Sequence, residues 1–266
     1  MDNFVDERDH RLLEKDKYTF FVLGKIIGEK CRILMSDHER MIICHSERPY
    51  PVWIWTPDDA TDDEKEFIYK IIKEEFSCGK GYTFNIKYDL AEYLINKAKA
   101  DGTDFHIWMN MFAYDCPEPV KPVDAVDGKI HECTMDDVDE IVAIYDHFSK
   151  ETGIDKQSEE DYRDKAEYSV KNKNLFFWEN SEGKHVASCS YRPNGKLASL
   201  GLVYTREEYR RRHYAENLVY QVTQKALDEG YMPMLYTNAD YVASNACYEK
   251  IGYKIRGKLC TIMVRE

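Results

Sequence analysis

The chain has 266 residues, a formal net charge of -12 and a hydrophobic content of 43%, which suits one large domain or two modest ones, each with a real core. Twenty tyrosines and 13% aromatic content exclude a disordered chain, and the acidic balance argues against nucleic-acid binding, because most of the surface would repel a phosphate backbone. Eight cysteines lie scattered with no C-x-x-C pair, no apolar leader opens the chain and no run nears the ~18 apolar residues of a membrane span, so free thiols in a reducing cytoplasm and no membrane contact are expected.

In chain order, "RILMS" and "RMIICH" read as short strands divided by Asp37 and His38, and "YPVWIWT" as a third. Phe67, Ile68, Ile71 and Ile72 then recur at helical spacing, behind acidic residues that suit the first turn of a helix. A strand "GYTFNIKY", a helix "DLAEYLINKAKA" and a strand "DFHIWMNMFAY" complete an α+β half over 1–118. Three prolines crowd the stretch from Cys116 to Lys129, where they block helix and ladder hydrogen bonds. A linker is expected over 119–128, and a second domain over 129–266.

In that second half, Thr134 with an acidic residue three positions on reads as the cap of a helix with the apolar face Val138, Ile141, Val142 and Tyr145. A further helix is expected from Glu159 to Val170. "NLFFWEN" and "KHVASCSYR" form a hairpin about "SEG", and Pro193, Asn194 and Gly195 turn the chain into the strand "KLASLGLVYT". A helix from Tyr214 to Glu229 follows, with Ala215, Leu218, Val219, Val222 and Ala226 on one stripe. A strand "MPMLYTN", a short helix "SNACYEKIG" and a terminal pair of strands in "YKIRGKLCTIMVRE" end the chain. The fold class expected is α/β with a mixed sheet flanked by helices.

Between strand and helix lies "YRRRHYA", Tyr209 to Ala215. A helix N-terminus presents unpaired N–H groups and the positive end of the dipole, and Arg210, Arg211 and Arg212 add charge-assisted donors. The residues alone leave two readings open, an anion site or a solvated basic face. His10, His38, His131, His147 and His185 have no metal-ligand spacing, so no metal is expected. His45, His106 and Trp108 read as packing residues on strands.

"VYTREEYRRRHYA", followed by "SNACYEKIGY", resembles the GCN5-related N-acetyltransferase (GNAT) family, over about residues 128–266. That family's Q/R-x-x-G-x-G/A loop falls on Arg210, His213 and Ala215, with His213 in place of the middle glycine. Its Y-E-K-x-G-F/Y segment falls on Tyr248, Glu249, Lys250, Gly252 and Tyr253. The resemblance implies acetyl-CoA as co-substrate, with its pyrophosphate on the amides of Arg210, Arg211, Arg212, His213, Tyr214 and Ala215. It further implies Val203 and Tyr204 along the pantetheine arm and direct transfer to the primary amine of a small-molecule or peptide acceptor. Tyr241 stands where relatives often carry an asparagine, and Asn238 is expected to take over that role. Tyr248 is the expected acid. The strand before the loop has no carboxylate, so no general base is assigned. The first half could be a degenerate copy of the same fold, and a non-catalytic acyl-CoA sensor is the alternative to an enzyme.

Overall fold

The run Val52–Trp55 is buried at all four positions, which needs a strand covered on both faces rather than one with a solvent side. In the computed structural model, which describes residues 1–153 and 156–265, it is β3 of a sheet built from β1 (Ile33–Ser36), β2 (Ile42–His45), β4 (Thr83–Ile86), β5 (Phe105–Asp115) and β11 (Lys254–Val264). Its strand order is β1-β2-β3-β4-β11-β5. The first three strands are antiparallel, β4 runs parallel to β3, and β11 runs antiparallel to β4. Ile43, Val52, Ile54 and Phe84 share a core with Ile68 and Ile72 of α3 (Asp62–Glu75) and Leu90 and Leu94 of α4 (Tyr88–Ala100). Cys260 and Ile262 of β11 belong to it too. His45 is wholly buried and packs edge-on against Phe76 and Tyr82.

Two helices precede this sheet that the sequence reading did not expect, α1 (Glu7–Glu14) and α2 (Phe21–Ile26). The first buries only Leu13 and Asp9 and is set by a capping box between Asp6 and Asp9; the second has six residues, too few to show a period. The C-terminal segment also differs from its expected pair of strands. It is one strand of eleven residues, and Gly257 marks no turn. A Cβ there would collide with Thr19 Oγ1 and lie 3.0 Å from Thr19 Cβ, so the glycine serves close approach inside a strand.

Asp9 and His38 make a buried polar knot in this unit. His38 Nδ1 lies 2.7 Å from Asp9 Oδ2, its Nε2 lies 3.1 Å from Asp2 Oδ2, and the Ser36 hydroxyl donates to Asp9. The hydrogen bond to Asp9 raises the pKa of His38 against the cost of burial. Burial works to raise the pKa of Asp9, yet Ser36, the Asp6 N–H and His38 together hold it below the ordinary value. The stabilisation from His38 is complete below about pH 6.5 and fades as pH rises through its elevated pKa; that from Asp9 is present above about pH 4 and fades as pH falls. His45, whose pKa burial lowers, works in the opposite sense below about pH 6.5, so urea unfolding between about pH 6.5 and 8.5 should show stability falling with pH, and His38→Gln should flatten that slope. An unchanged slope would remove His38 as its source.

The second unit comprises β6 (Lys129–Glu132), α5 (Val138–Thr152), α6 (Glu159–Lys171), β7 (Leu175–Glu179), β8 (His185–Asn194), β9 (Leu197–Thr205), α7 (Tyr214–Asp228), β10 (Met232–Asn238) as far as Tyr236, and α8 (Val242–Ile251). Its strand order is β10-β9-β8-β7-β6, antiparallel from β6 to β9, with β10 parallel to β9. Val138, Ile141 and Ile144 of α5 meet Leu175, Phe177 and Leu202 in one core. Leu218, Val219, Val222 and Ala226 of α7 are buried along the expected stripe. Thr134 caps as expected, with its hydroxyl and N–H on Asp137, but one 3-10 turn (Met135–Asp137) intervenes before α5.

By compactness the chain divides into two units. One unit is Met1–Ala113 with Thr237–Tyr241 and Ile255–Glu266; the other is Tyr114–Tyr236 with Val242–Lys254. The element order nonetheless repeats. Two helices, three antiparallel strands, a helix, a strand parallel to the third, a helix and a last strand occur in 7–115 and again in 138–264. No helix among the described residues is long and apolar enough to cross a membrane.

Candidate active site

β9 and β10 are paired only at Leu197–Ser199 and Met232–Met234. Beyond Ser199 the edge of β9 that faces away from β8 has no strand partner among the described residues. The other edge is irregular. The β8–β9 register slips between Ser188 and Ser190, Leu202 takes φ +49°, and serine hydroxyls of β8 take the displaced carbonyls: Ser188 Oγ donates to Leu202 O at 2.7 Å, and Ser190 Oγ to Gly201 O at 3.1 Å. A bulge bends the strand that carries it and increases its twist, and here it follows the point at which pairing of β9 with β10 ends. Val203 and Tyr204, the expected pantetheine contacts, lie half-buried on the opened stretch. An unpaired strand edge is an offer of N–H and C=O groups to an amide-bearing chain.

At the end of β9 a 3-10 turn, Glu207–Tyr209, leads into the basic loop. Arg211 and His213 both adopt left-handed backbone, φ +60° and +61°. Such a conformation costs a non-glycine residue about 1–2 kcal/mol, and His213 adopts it at the position where the resembled family has glycine. His213 is also the N-cap of α7 and makes no side-chain cap. Among the described residues no acceptor is recorded for the N–H groups of Arg211, Arg212, His213, Tyr214 and Ala215. Alternating hands of backbone with free N–H groups at a helix start make an anion-binding concavity.

The side chains divide the labour. Arg210 donates from Nε to Thr205 O at 3.0 Å and pairs with Glu151 through Nη2, and that hydrogen bond raises its pKa. The guanidinium of Arg210 is thereby spent on the protein, with Tyr204 beneath it at 5.9 Å. Arg211 and Arg212 are exposed and have no carboxylate within ion-pair distance among the described residues; Arg212 lies 5.5 Å over the Tyr209 ring. His213 turns to Glu216 (3.1 Å) and Asp124 (3.6 Å). Tyr214 is buried and donates to Asp127 Oδ1 at 2.5 Å, which with burial pushes its pKa up to about 12. Tyr214 thus anchors the helix start by its side chain and offers the site only backbone.

Tyr248 lies on α8, which packs on α7. It is buried, its ring stands edge-on to Tyr253 at 5.9 Å, and burial raises its pKa, with Cys189 and Cys247 among its neighbours. No described residue is within hydrogen-bond reach of its hydroxyl. Asn238 ends β10, and its side-chain oxygen accepts the Asp240 N–H at 2.9 Å.

The first unit's corresponding loop, between β3 and α3, has the opposite chemistry. It reads "TPDDATDD", and the Thr61 hydroxyl and Glu64 carboxylate close a capping box over the helix start. The N–H groups of Thr61 and Glu64 are capped and the loop's charge is negative, which suits a phosphate poorly. Of the two repeated frames only the second has the uncapped, basic form.

Comparison with known proteins follows the same division. Residues 141–253 match the acetyltransferase (GNAT) family. No curated protein matches the sequence. Among solved structures, a GNAT-family acetyltransferase from Colwellia psychrerythraea is similar at 13% identity, over 98% of this chain and 98% of that one, with a TM-score of 0.61. A GCN5-related N-acetyltransferase from Kribbella flavida is similar at 13% identity over 95% of each chain, TM-score 0.64. One from Sphaerobacter thermophilus covers 80% of this chain and 72% of its own, at 11% identity and TM-score 0.59. At these identities the likeness is one of fold. In sequence over residues 141–253, and in fold over most of its length, the chain resembles the GNAT acetyltransferases.

Proposed function

We propose that the second unit binds acetyl-CoA between β9 and α7 and transfers its acetyl group directly to a primary amine of a small-molecule or peptide acceptor. The observation that carries this reading is the uncapped, left-handed start of α7 at the end of a strand edge left open by the bulge in β9. Pyrophosphate suits the N–H groups of residues 211–215, with Arg211 and Arg212 as mobile counter-charges, and the amides of a pantetheine arm suit the edge at Val203 and Tyr204. Asn238 at the end of β10 is assigned the role of the family's cofactor-arm asparagine. The thioester supplies the activated acetyl group; the protein's part is to hold it beside the amine and to stabilise the departing thiol. The amine must be neutral to attack. Deprotonation at pH 7 costs a lysine-like amine roughly 4–5 kcal/mol and an α-amine about 1 kcal/mol, so the second class makes the smaller demand on a site whose β9 has no carboxylate. The acidic surface favours cationic acceptors.

Calorimetry with CoA tests the binding half of this reading. Arg211→Ala with Arg212→Ala should weaken CoA about tenfold and flatten its salt dependence, since each phosphate contact is worth a modest charge-assisted hydrogen bond. Arg210→Ala should act less on salt dependence, because its guanidinium is already held by Glu151. Equal affinity of parent and double variant would leave the arginines as solvated surface. A thiol-release assay over a panel of amines tests the other half; tight CoA binding with no turnover on any amine would favour the acyl-CoA sensor instead.

A further inference from the structure

We propose that His131, Asp137 and His185, with Glu140 beside them, bind a divalent transition-metal ion of the zinc class. The residues are too far apart in the sequence to show ligand spacing. Pairing of β6 with β7 and of β7 with β8 brings both histidines to one face, and the start of α5 adds the carboxylates. One ligand atom from each of His131, Asp137 and His185 lies within 4.8 Å of the other two. His131 Nε2 is 3.0 Å from Asp137 Oδ2, His185 Nδ1 is 2.8 Å from Glu140 Oε2, and the two imidazoles stack at 4.8 Å and 25°. Donors around a tetrahedral zinc, with bonds near 2.0–2.1 Å, sit about 3.3 Å from one another. The three-residue cluster is wider than a closed shell, so its side chains would draw in around an ion, with Glu140 held beside His185 as a further donor.

Charge and surroundings agree. Two carboxylates balance a dication, and imidazole with carboxylate donors suits zinc, nickel or copper better than calcium. The outer contacts that orient metal ligands are already in place. Arg206 Nη2 holds Glu140 Oε1 at 2.6 Å, and Thr134 holds Asp137 Oδ2 through its N–H and hydroxyl, leaving Oδ1 uncommitted. The Phe177 ring, 4.5 Å from that of His185, makes an apolar wall. All four side chains are partly exposed, so an ion can enter. A bound ion would staple β6 to β8 and to the start of α5. The competing account is two ordinary histidine–carboxylate pairs.

The test uses the full chain, stripped with a chelator and dialysed. Zn²⁺ calorimetry should give one saturable site per chain, Co²⁺ should give the visible absorption of a four-coordinate site, and Zn²⁺ should raise Tm by mass action. His131→Gln with His185→Gln removes two of the ligands and should abolish saturable Zn²⁺ binding, while His10→Gln on α1 leaves it unchanged. Circular dichroism and the metal-free Tm establish that the double variant is folded; if it is not, Glu140→Gln, a change at a partly exposed position, should weaken Zn²⁺ about tenfold. Absence of a saturable site, or equal affinity in these variants, would show ion pairs only and overturn the proposal.

Discussion

Tyr248→Phe is expected to lower the turnover of acetyl transfer about 100-fold while leaving CoA affinity and Tm nearly unchanged. A phenol beside the departing sulfur can give its proton as charge develops there. The buried Tyr248 hydroxyl, raised above its ordinary pKa, stays protonated through the neutral and mildly alkaline range. The same elevation makes it a weak acid, and a thiol of pKa ~8.5 leaves fairly well unaided, so the low end of the usual gain applies. The substitution keeps the ring that meets Tyr253 edge-on. It removes a hydroxyl that makes no hydrogen bond to a described residue, so stability should hold. Since the group does not titrate below its raised pKa, no alkaline limb of the pH–rate profile in the neutral region should vanish with it. The measurement is single-turnover acetyl transfer, in which chemistry is isolated from product release. Unchanged single-turnover rates would take Tyr248 off the list of catalytic groups.

Gly128→Ala is expected to cost about 3 kcal/mol of stability, a fall in Tm of roughly 10 °C. Gly128 has φ +91°, and a Cβ there would press into the backbone of Glu179 and Asn180, 2.7 Å from Asn180 Cα. Backbone cannot swing aside as a side chain can. The preceding residue shows why the chain runs so close: Asp127 O accepts from Trp178 Nε1 at 2.8 Å, and its carboxylate accepts from the Ser181 N–H at 2.7 Å and from the Tyr214 hydroxyl. These contacts, that of Ser181 first, hold the Asp127 pKa down at about 2. They tie the end of the proline-rich stretch to the first residue of α7, so the same variant should weaken CoA as well. Gly183→Ala is the control. Its φ is +75° but nothing lies within 4 Å of an added Cβ, so only the backbone cost of about 1 kcal/mol applies. If both variants melt alike, the close approach at Gly128 has no energetic weight.

What was legible in the sequence was what local chemistry determines. The stripe on α7, the cap at Thr134, the turn about Gly183 and the basic loop all appear where residue spacing puts them, because each depends on neighbours within a few positions. His213 was visible as an oddity in the place of a glycine; only the backbone shows that its left-handed conformation is kept and its ring turned to Glu216 and Asp124. The commitment of Arg210 to Glu151 was not visible, since that partner lies on α5, far back in the chain. α1 left no trace because its surface is charged and its buried apolar content is Leu13 alone. The terminal segment is one strand rather than the expected pair, and the contact that fixes Gly257 inside it, Thr19, comes from far back in the sequence. Long-range pairing likewise hid the meeting of His131 with His185.

β11 has a consequence for the order in which the protein can be made. Cys260 and Ile262 fill the core of the first unit, and β4 finds its neighbour in a strand that begins at Lys254. A ribosome delivers domains N-terminal first, and each usually folds as it emerges. Here the first unit keeps an open sheet edge and an incomplete core until β11, which follows every element of the second unit, has been translated. An open strand edge is a template for pairing with another chain, and removal of β11 should injure the first unit more than the part that carries the basic loop.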